Sequence, residues 1–181
     1  GPRAAVVGAA DSPALTLSVG GGPAVRGYFD PWAHTPPGLP LPTPETAPTA
    51  SEEEDGKSYR VARTEGYVFE HHPTATHFRY PYVYGPRQLA PREWLIVKRI
   101  LDKRPHIIVA DGGQSAHSFG YADNLAHAIH LAVDQPEAAA GRIFHTGDEE
   151  VLTLRQVIEI CAAELGHEWD LDSMPPVRAV P

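Results

Sequence analysis

Residues 59–70 read YRVARTEGYVFE and place a tyrosine and an arginine, Tyr59 and Arg63, four positions apart. The apolar residues around them recur with the 3.6-residue period, which predicts a helix that starts near Lys57, although Gly66 weakens its interior. Side chains four residues apart on a helix lie one turn apart on the same face. The stretch therefore predicts a helix that presents a phenol beside a guanidinium.

This pair has two interpretations. A phenol has a pKa of about 10, so it is a poor acid–base catalyst at neutral pH unless a nearby cation lowers that value. Arg63 supplies the positive charge and hydrogen-bond donors, but an arginine does not release a proton under ordinary conditions. Tyrosine and arginine also occur at this spacing by chance, in which case Tyr59 and Arg63 form only a packing contact.

Composition restricts the class of protein. The 181 residues are 42% hydrophobic and 21% charged, as in an ordinary soluble domain, and no apolar run approaches the ~20 residues that span a bilayer. Fifteen basic and 23 acidic residues leave a net charge of −8, which disfavours a general nucleic-acid surface. A single cysteine, Cys161, excludes an internal disulfide and fits a reducing compartment. We therefore expect a cytoplasmic protein that binds neither nucleic acid nor membrane.

Strand patterns alternate with helix patterns along the chain, which predicts an α/β fold with a largely parallel sheet. Prolines crowd the segment 31–50, so we expect an extended excursion there. The strands are predicted at residues 4–10, 14–19, 75–85, 106–110 and 141–147, and the helices near 57–70, 91–104, 123–135 and 154–165.

The helix ends carry their own signals. Asp123 is predicted to cap one helix, and Pro91 suits the first turn of another. Thr153 and Gln156 have the spacing of a capping box, and Gly166 is placed to end the helix that follows. These signals fix the last helix more firmly than any other element.

Three further segments follow the tyrosine helix: FRYPYVYGPRQ (78–88), DGGQSAHSFGYADNLAHAI (111–129) and IFHTGDEEVLTLRQVIEI (143–160). In this order they resemble the second half of the NAD(P)-dependent epimerases/dehydratases, the extended short-chain dehydrogenases/reductases. The resemblance runs from about residue 25 to about residue 169. It implies a partial Rossmann-like fold, doubly wound and mostly parallel, with a small C-terminal substrate-binding portion.

The resemblance also implies a chemistry, hydride transfer to or from NAD or NADP. Tyr59 matches the catalytic tyrosine, and Arg63 stands at the position that normally holds a lysine and contacts the cofactor. The hydroxyl residue that orients the substrate carbonyl is expected upstream, where Ser18 is the only candidate in the segment SVGGGPAV.

The remaining expected contacts come from the later segments. By resemblance, Pro81 and Tyr82 would face the nicotinamide ring of the cofactor. Two of the residues expected to contact the substrate have another interpretation: Trp94 could be a core residue, and Arg87 could simply anchor its loop. His117 stands where the family often has an arginine for a nucleotide-sugar phosphate, so a small hydroxyl or keto compound, sugar-like, is expected instead of a nucleotide sugar. The expected substrate-binding residues are Arg87, Gln88, Trp94 and His117.

The sequence departs from the family at its front. The expected G-x-x-G-x-x-G turn, which holds a pyrophosphate at a helix N-terminus, is missing: Asp11 and Ala14 follow Gly8. The run 20–22 is three glycines, for which a flexible turn is the expected structure. A sheet without its first strands exposes an edge, so we expect a homo-oligomer or a complementing chain.

We divide the chain into residues 1–110, the remainder of the Rossmann-like domain, and residues 111–181, a mixed substrate-binding portion. The alternative to an enzyme is a truncated or degenerate, non-catalytic relative, or one piece of a larger enzyme. His127 and His130 lie three apart on a helix without a third ligand, so no metal site is predicted.

Overall fold

The computed structural model describes residues 16–26, 43–54, 56–88, 91–167 and 169. The predicted strand at 4–10 and much of the proline-rich excursion lie outside these residues. Two short 3₁₀ helices, Gly22–Ala24 and Ala110–Gly113, accompany the main elements. The main elements are β1 Leu17–Gly21, α1 Gly56–His71, β2 Thr76–Tyr80, β3 Tyr82–Tyr84, α2 Trp94–Leu101, β4 Ala116–Tyr121, α3 Ala122–Asp134, α4 Pro136–Ala139, β5 Ile143–His145, β6 Val151–Thr153 and α5 Leu154–Glu164.

The chain forms two compact units. The first contains residues 1–81 and 120–147, and the second contains residues 82–119 and 148–181. The units are interleaved along the chain. The division into 1–110 and 111–181, which was drawn by expected role, stays a prediction.

The first unit contains a parallel sheet in the order β1–β2–β5. Val19 of β1 pairs with Phe78 of β2, which in turn pairs with Phe144 of β5. Phe78 and Phe144 also stack at 6.0 Å, and they pack with Ala132 of α3 in one apolar cluster. This confirms the predicted α/β fold with a parallel sheet.

The second unit has a separate three-stranded sheet in the order β3–β4–β6, in which β4 and β6 are antiparallel. Its core is built from Ile96 and Ile100 of α2, Ile107, and Ile158 of α5. The apolar faces of α2 and α5 thus pack together with Ile107 in one buried cluster. None of the helices that the structure describes is long and apolar enough to cross a membrane.

The local signals are confirmed at α1 and α5. α1 begins at Gly56, one residue before the predicted start, and continues unbroken through Gly66. Thr153 and Gln156 form the predicted capping box: the Thr153 hydroxyl accepts from the Gln156 N–H, and the Gln156 side chain accepts from the Thr153 N–H. Gly166 adopts a φ of 61° just beyond the helix, as its position predicted.

Four local predictions are corrected. Residues 106–110 form no strand: Ile107 packs in the core of α2 and α5, and the segment joins neither of the two sheets. Asp123 is not the N-cap of α3: Tyr121 occupies that position, and Asp123 lies in the first turn, where its charge suits the helix dipole. α2 begins at Trp94, three residues after Pro91. The glycine run is not a flexible turn, since Gly20 and Gly21 belong to β1.

Gly20 has a packing reason. A Cβ at this position would lie 2.6 Å from Nε2 of His77, which is closer than any real contact. The imidazole of His77, on the neighbouring strand β2, therefore occupies the space that a larger residue at position 20 would need. Gly20, the first glycine of the run, thus leaves room in the sheet for the His77 side chain.

A buried ion pair joins α1 to the sheet. The Arg79 guanidinium on β2 donates from Nε to Oε2 of Glu65 at 2.8 Å and from Nη2 to Oε1 at 2.7 Å. Glu65 is 5% exposed and Arg79 is 3% exposed. A bidentate pair of this kind has defined geometry, so it fixes how far α1 is rotated and shifted relative to β2.

Two histidines extend this pair into a network. His77 places Nδ1 3.0 Å from the Ser18 hydroxyl and Nε2 3.3 Å from Oε2 of Glu65. His145 contacts Nη1 of Arg79 through Nε2 at 2.9 Å and the Thr43 carbonyl through Nδ1 at 3.0 Å. Burial is the largest cause that lowers the pKa of both imidazoles; the Arg79 charge lowers it further, and the Glu65 carboxylate opposes the shift. The net lowering of the pKa favours the neutral form of both imidazoles in the folded protein.

Replacing Glu65 by alanine leaves a buried, uncompensated guanidinium, so we expect the free energy of unfolding to fall by about 3–5 kcal/mol. Urea unfolding followed by circular dichroism measures this loss. The double variant Glu65→Leu/Arg79→Met should lose far less, because it removes both charges. As a matched surface control, Glu159→Ala breaks an exposed i,i+4 pair with Arg155 and should cost no more than about 0.5 kcal/mol. Equal losses in the two single variants would contradict this ranking.

Stability should also fall as the pH is lowered from 7.5 to 5.5. In the unfolded chain each imidazole binds a proton near pH 6.5, roughly the ordinary value, whereas the folded pKa values of His77 and His145 are lower. The unfolded state then binds more protons in this window, which favours unfolding. The urea midpoint at each pH measures the slope.

The slope should be shallower in the double variant His77→Gln/His145→Gln. The matched control is His127→Gln/His130→Gln, which removes two exposed histidines of the same unit and should keep the slope of the parent chain. A parent-like slope in the buried variant would show that these two imidazoles do not cause the pH dependence.

Candidate active site

Tyr59 and Arg63 lie on one face of α1 and border the same surface pocket of about 390 Å³. Tyr59 is half-buried, whereas Arg63 is exposed. The pocket is completed by further residues of the same helix face and by the segment that precedes the helix: Thr49, Ala50, Ala62, Gly66, Tyr67 and Glu70. The structure thus brings together the phenol and the guanidinium that the sequence placed one turn apart.

The opposite face of α1 is buried and holds the helix in place. Ser58, Glu65 and Val68 are its buried residues, and Glu65 makes the ion pair with Arg79. Gly66 has open space where its Cβ would be, and its lack of a side chain leaves room in the pocket. The helix therefore presents Tyr59 from an anchored backbone.

Ser18 lies apart from this pocket. It is the second residue of β1 and 3% exposed, and its hydroxyl contacts His77. Nδ1 of His77 lies 3.0 Å from the Ser18 hydroxyl, whereas Nε2, 3.3 Å from Oε2 of Glu65, makes no hydrogen bond within the described residues. The role of Ser18 in orienting a substrate stays a prediction, and its observed contact is with the core.

The other expected residues are divided between the two units. Pro81 directly follows β2 and is the last residue of the segment 1–81 of the first unit. The same segment contains Ser18, Tyr59 and Arg63. Arg87 is exposed and adopts a φ of 68° in the turn after β3, and Trp94, at the start of α2, is 49% exposed. The expected residues of the second unit are Tyr82, Arg87, Gln88, Trp94 and His117.

Tyr82 and His117 come together in the second unit. Their rings lie 5.7 Å apart, and Phe119 completes the group at 6.1 Å from Tyr82. The Arg92 guanidinium covers the Tyr82 ring at 3.8 Å, within the range of a cation–π contact. Burial lowers the pKa of His117, and the positive charge of Arg92 lowers it further. His117 is therefore a neutral imidazole at pH 7.

Arg92 is a residue that the sequence did not single out. It is exposed, and it contacts Tyr82 from ten positions further along the chain, which no helical or strand period would indicate. The cation of this cluster is therefore supplied from outside the segment 111–129 that contains His117. The Arg92 guanidinium and the His117 imidazole thus both lie next to the Tyr82 ring.

Arg92→Gln should raise the pKa of His117, because it removes the nearby positive charge. The pKa should remain below its ordinary value, since burial is the larger cause. A proton NMR titration of the His117 Cε1–H measures the change. Arg87→Gln removes one charge from the same unit without contacting Tyr82 and should leave the titration unchanged; an unchanged pKa in Arg92→Gln would mean that the two groups do not interact.

Comparison with known proteins agrees with this architecture. Among curated proteins, the uncharacterized protein y4nL of Sinorhizobium fredii is 36% identical over 97 residues, which is 54% of this chain and 26% of that protein. The UDP-D-apiose/UDP-D-xylose synthase of Oryza sativa is 35% identical over 81 residues, 44% of this chain and 20% of that enzyme. The chain thus spans about a quarter or less of these relatives.

Solved structures show the same fold. The UDP-glucuronic acid 4-epimerase of Bacillus cereus, in complex with UDP-glucuronic acid and NAD, superposes with a TM-score of 0.62 at 20% identity, over 84% of this chain and 46% of the epimerase. The dTDP-glucose 4,6-dehydratase of Bacillus anthracis, in complex with NAD, gives a TM-score of 0.62 at 18% identity, over 85% and 47%. The fold is thus a partial Rossmann fold.

The model of the NAD dependent epimerase/dehydratase family matches residues 57–147, half of the chain. This segment begins on α1, contains Tyr59 and Arg63, and ends just after β5. The chain belongs to the NAD-dependent epimerase/dehydratase family.

Proposed function

We propose that this chain acts as an NAD(P)-dependent oxidoreductase of the epimerase/dehydratase type, with Tyr59 as the acid–base residue and Arg63 as its cationic support. The observation that carries the proposal is the pocket of about 390 Å³ that Tyr59 and Arg63 share on α1. A proton donor and a fixed positive charge at one cavity are two of the groups that such chemistry needs from the protein.

The two residues divide the work. Tyr59 gives a proton to, or takes one from, the oxygen of the substrate that changes between hydroxyl and carbonyl. Arg63 stays positively charged throughout, so it stabilises a phenolate electrostatically but does not pass the proton on. A bound nicotinamide supplies the hydride exchange with the substrate carbon.

The donor set of the pocket fits the ribose and nicotinamide end of such a cofactor. The Tyr59 hydroxyl and the Arg63 guanidinium offer hydrogen-bond donors beside a cavity large enough for one ring system. Pro81 and Tyr82 are proposed to contact the nicotinamide. In the described part of the chain, the glycine run of β1 leads into a three-residue 3₁₀ helix, which has no long helix dipole for a pyrophosphate.

The proposed substrate is a small, sugar-like hydroxyl or keto compound, and the proposed site of action is the cytoplasm. Arg87 and Gln88 follow β3 in a turn closed by the Gln88 N–H and the Gly85 carbonyl, and both are proposed to contact the substrate. His117 and Trp94 are proposed to line the same side. Neither nucleic acid nor membrane is a proposed partner, whereas a second copy or a complementing chain is.

A non-catalytic member of the family is the second candidate. The observation in its favour is Ser18, whose hydroxyl is bound to His77 in the core and does not border the Tyr59 pocket. Without Ser18 to orient a carbonyl, the pocket would bind a ligand through Tyr59 and Arg63 and leave it unchanged.

Calorimetric titration with NAD⁺ and NADP⁺ tests the proposal first. We expect micromolar binding of one of them, weakened in Arg63→Ala by roughly fivefold or more and retained in Arg63→Lys, because the charge is what the pocket supplies. Tyr59→Phe should keep cofactor binding but slow cofactor reduction, followed at 340 nm with a panel of sugar substrates, by roughly 10²-fold or more.

Tyr67→Phe is the matched control, since Tyr67 borders the same pocket and should change neither quantity. The absence of binding at millimolar cofactor would reject the enzymatic proposal. Cofactor binding with no turnover on any substrate of the panel would favour the non-catalytic candidate.

A further inference from the structure

A second cavity, of about 360 Å³, lies in the second unit where the chain turns back at the end of α2. None of the residues that border it belongs to the pocket of Tyr59 and Arg63. We call it the basic pocket, because three of the six residues that border it are lysine or arginine. It is bordered by Lys98, Arg99, Asp102, Arg104, His106 and Ile108.

A tight turn creates this cavity. The Lys103 N–H donates to the Ile100 carbonyl and the Arg104 N–H donates to the Arg99 carbonyl, which is the Schellman arrangement at a helix C-terminus. Lys103 takes the left-handed position with a φ of 52°, where glycine is the usual residue. The reversal brings residues 104–108 alongside the last turn of α2, so cations from both sides border one cavity.

Two of these three cations have a structural explanation. Lys98 pairs with Asp102 at 3.0 Å, and the Arg99 Nη1 donates to the Leu95 carbonyl at 2.6 Å. Both lie in the last turn of α2, where the helix dipole favours positive charge. Their presence by itself does not indicate a ligand.

Arg104 and His106 are different. They follow the helix, and within the described residues their side chains make no hydrogen bond and no ion pair, although both border the cavity. The Arg104 backbone is held in place, because its N–H caps α2 and its carbonyl accepts from Nε1 of Trp169. A guanidinium without a partner among the described residues, on a fixed backbone beside Lys98 and Arg99, forms a local concentration of positive charge in a chain whose net charge is −8.

We propose that the basic pocket binds a compact, phosphate-bearing small molecule. Arginine side chains match the geometry of phosphate oxygens and bind them through paired hydrogen bonds, with Lys98 and Arg99 adding charge. The volume of about 360 Å³ suits a ligand of this size. Ile108, which is 74% exposed at the rim, offers an apolar surface for the carbon part of the ligand.

The pocket favours a small phosphate compound over a polyanion. A nucleic acid needs a row of cations along its backbone, and the net charge of −8 repels a long anion outside this single cavity. Asp102 is the one carboxylate on the wall, and it opposes the anion while it pairs with Lys98. Its removal should therefore strengthen binding, which a merely structural role for the cluster would not produce.

Backbone amide NMR shifts of residues 98–108, followed in the full chain during titrations with pyrophosphate and with ADP, test this proposal. We expect saturable shifts in this segment at millimolar ligand or below. Arg104→Ser should weaken binding by roughly fivefold, and Asp102→Asn should strengthen it by about twofold to fivefold, as expected for single partly exposed charge contacts. Tighter binding of ADP than of pyrophosphate, lost in Ile108→Ser, would assign the apolar wall to a nucleoside; equal binding would assign the site to the inorganic phosphate group.

The matched control is Arg142→Ser, which removes one exposed positive charge from the other unit and should leave both affinities unchanged. Circular dichroism confirms that each variant is folded. The absence of saturable shifts in the segment, affinities that Arg104→Ser leaves unchanged, or an equal loss in Arg142→Ser would each overturn the proposal. Because NAD is not the probe, these outcomes do not depend on the function proposed for Tyr59.

Discussion

The buried ion pair between Glu65 and Arg79 is the constraint on which the first unit depends. A carboxylate and a guanidinium lose their hydration when they are buried, and only a bidentate geometry in a low-dielectric core offsets that cost. The pair therefore tolerates little displacement of α1 against β2. Everything that α1 carries toward the solvent, Tyr59 and Arg63 included, is oriented by this contact on its other face.

Burial is the largest cause of the lowered pKa of the two histidines beside this pair, His77 and His145. The positive charge of Arg79 lowers the pKa further, and the Glu65 carboxylate opposes that shift. His77 also fills the space next to Gly20, which connects the glycine of β1 to the polar core. The polar network thus acts as a packing element of the sheet as well as an electrostatic one.

Positive charge is distributed differently in the second unit. The Arg92 guanidinium has a partner, because it lies over the Tyr82 ring in a cation–π contact; it also lowers the pKa of His117. Arg104, three residues after the end of α2, has none in the described part of the chain and borders an open cavity. Since an overall charge of −8 says nothing about where cations gather, only local geometry separates an arginine that packs from an arginine that is available to a ligand.

The sequence by itself determined the α/β class, the helix that presents Tyr59 and Arg63, and the capping box at Thr153, because these depend on periodicity and on hydrogen bonds between residues three or four apart. It did not reveal that residues 106–110 make no strand, since an apolar run is the same whether it joins a sheet or lies against helices. The partners of Glu65 and Arg92, and the burial of Ser18, were decided only by tertiary structure. Those contacts join residues 10 to 59 positions apart, and no local pattern encodes which distant side chain a folded backbone will bring to them.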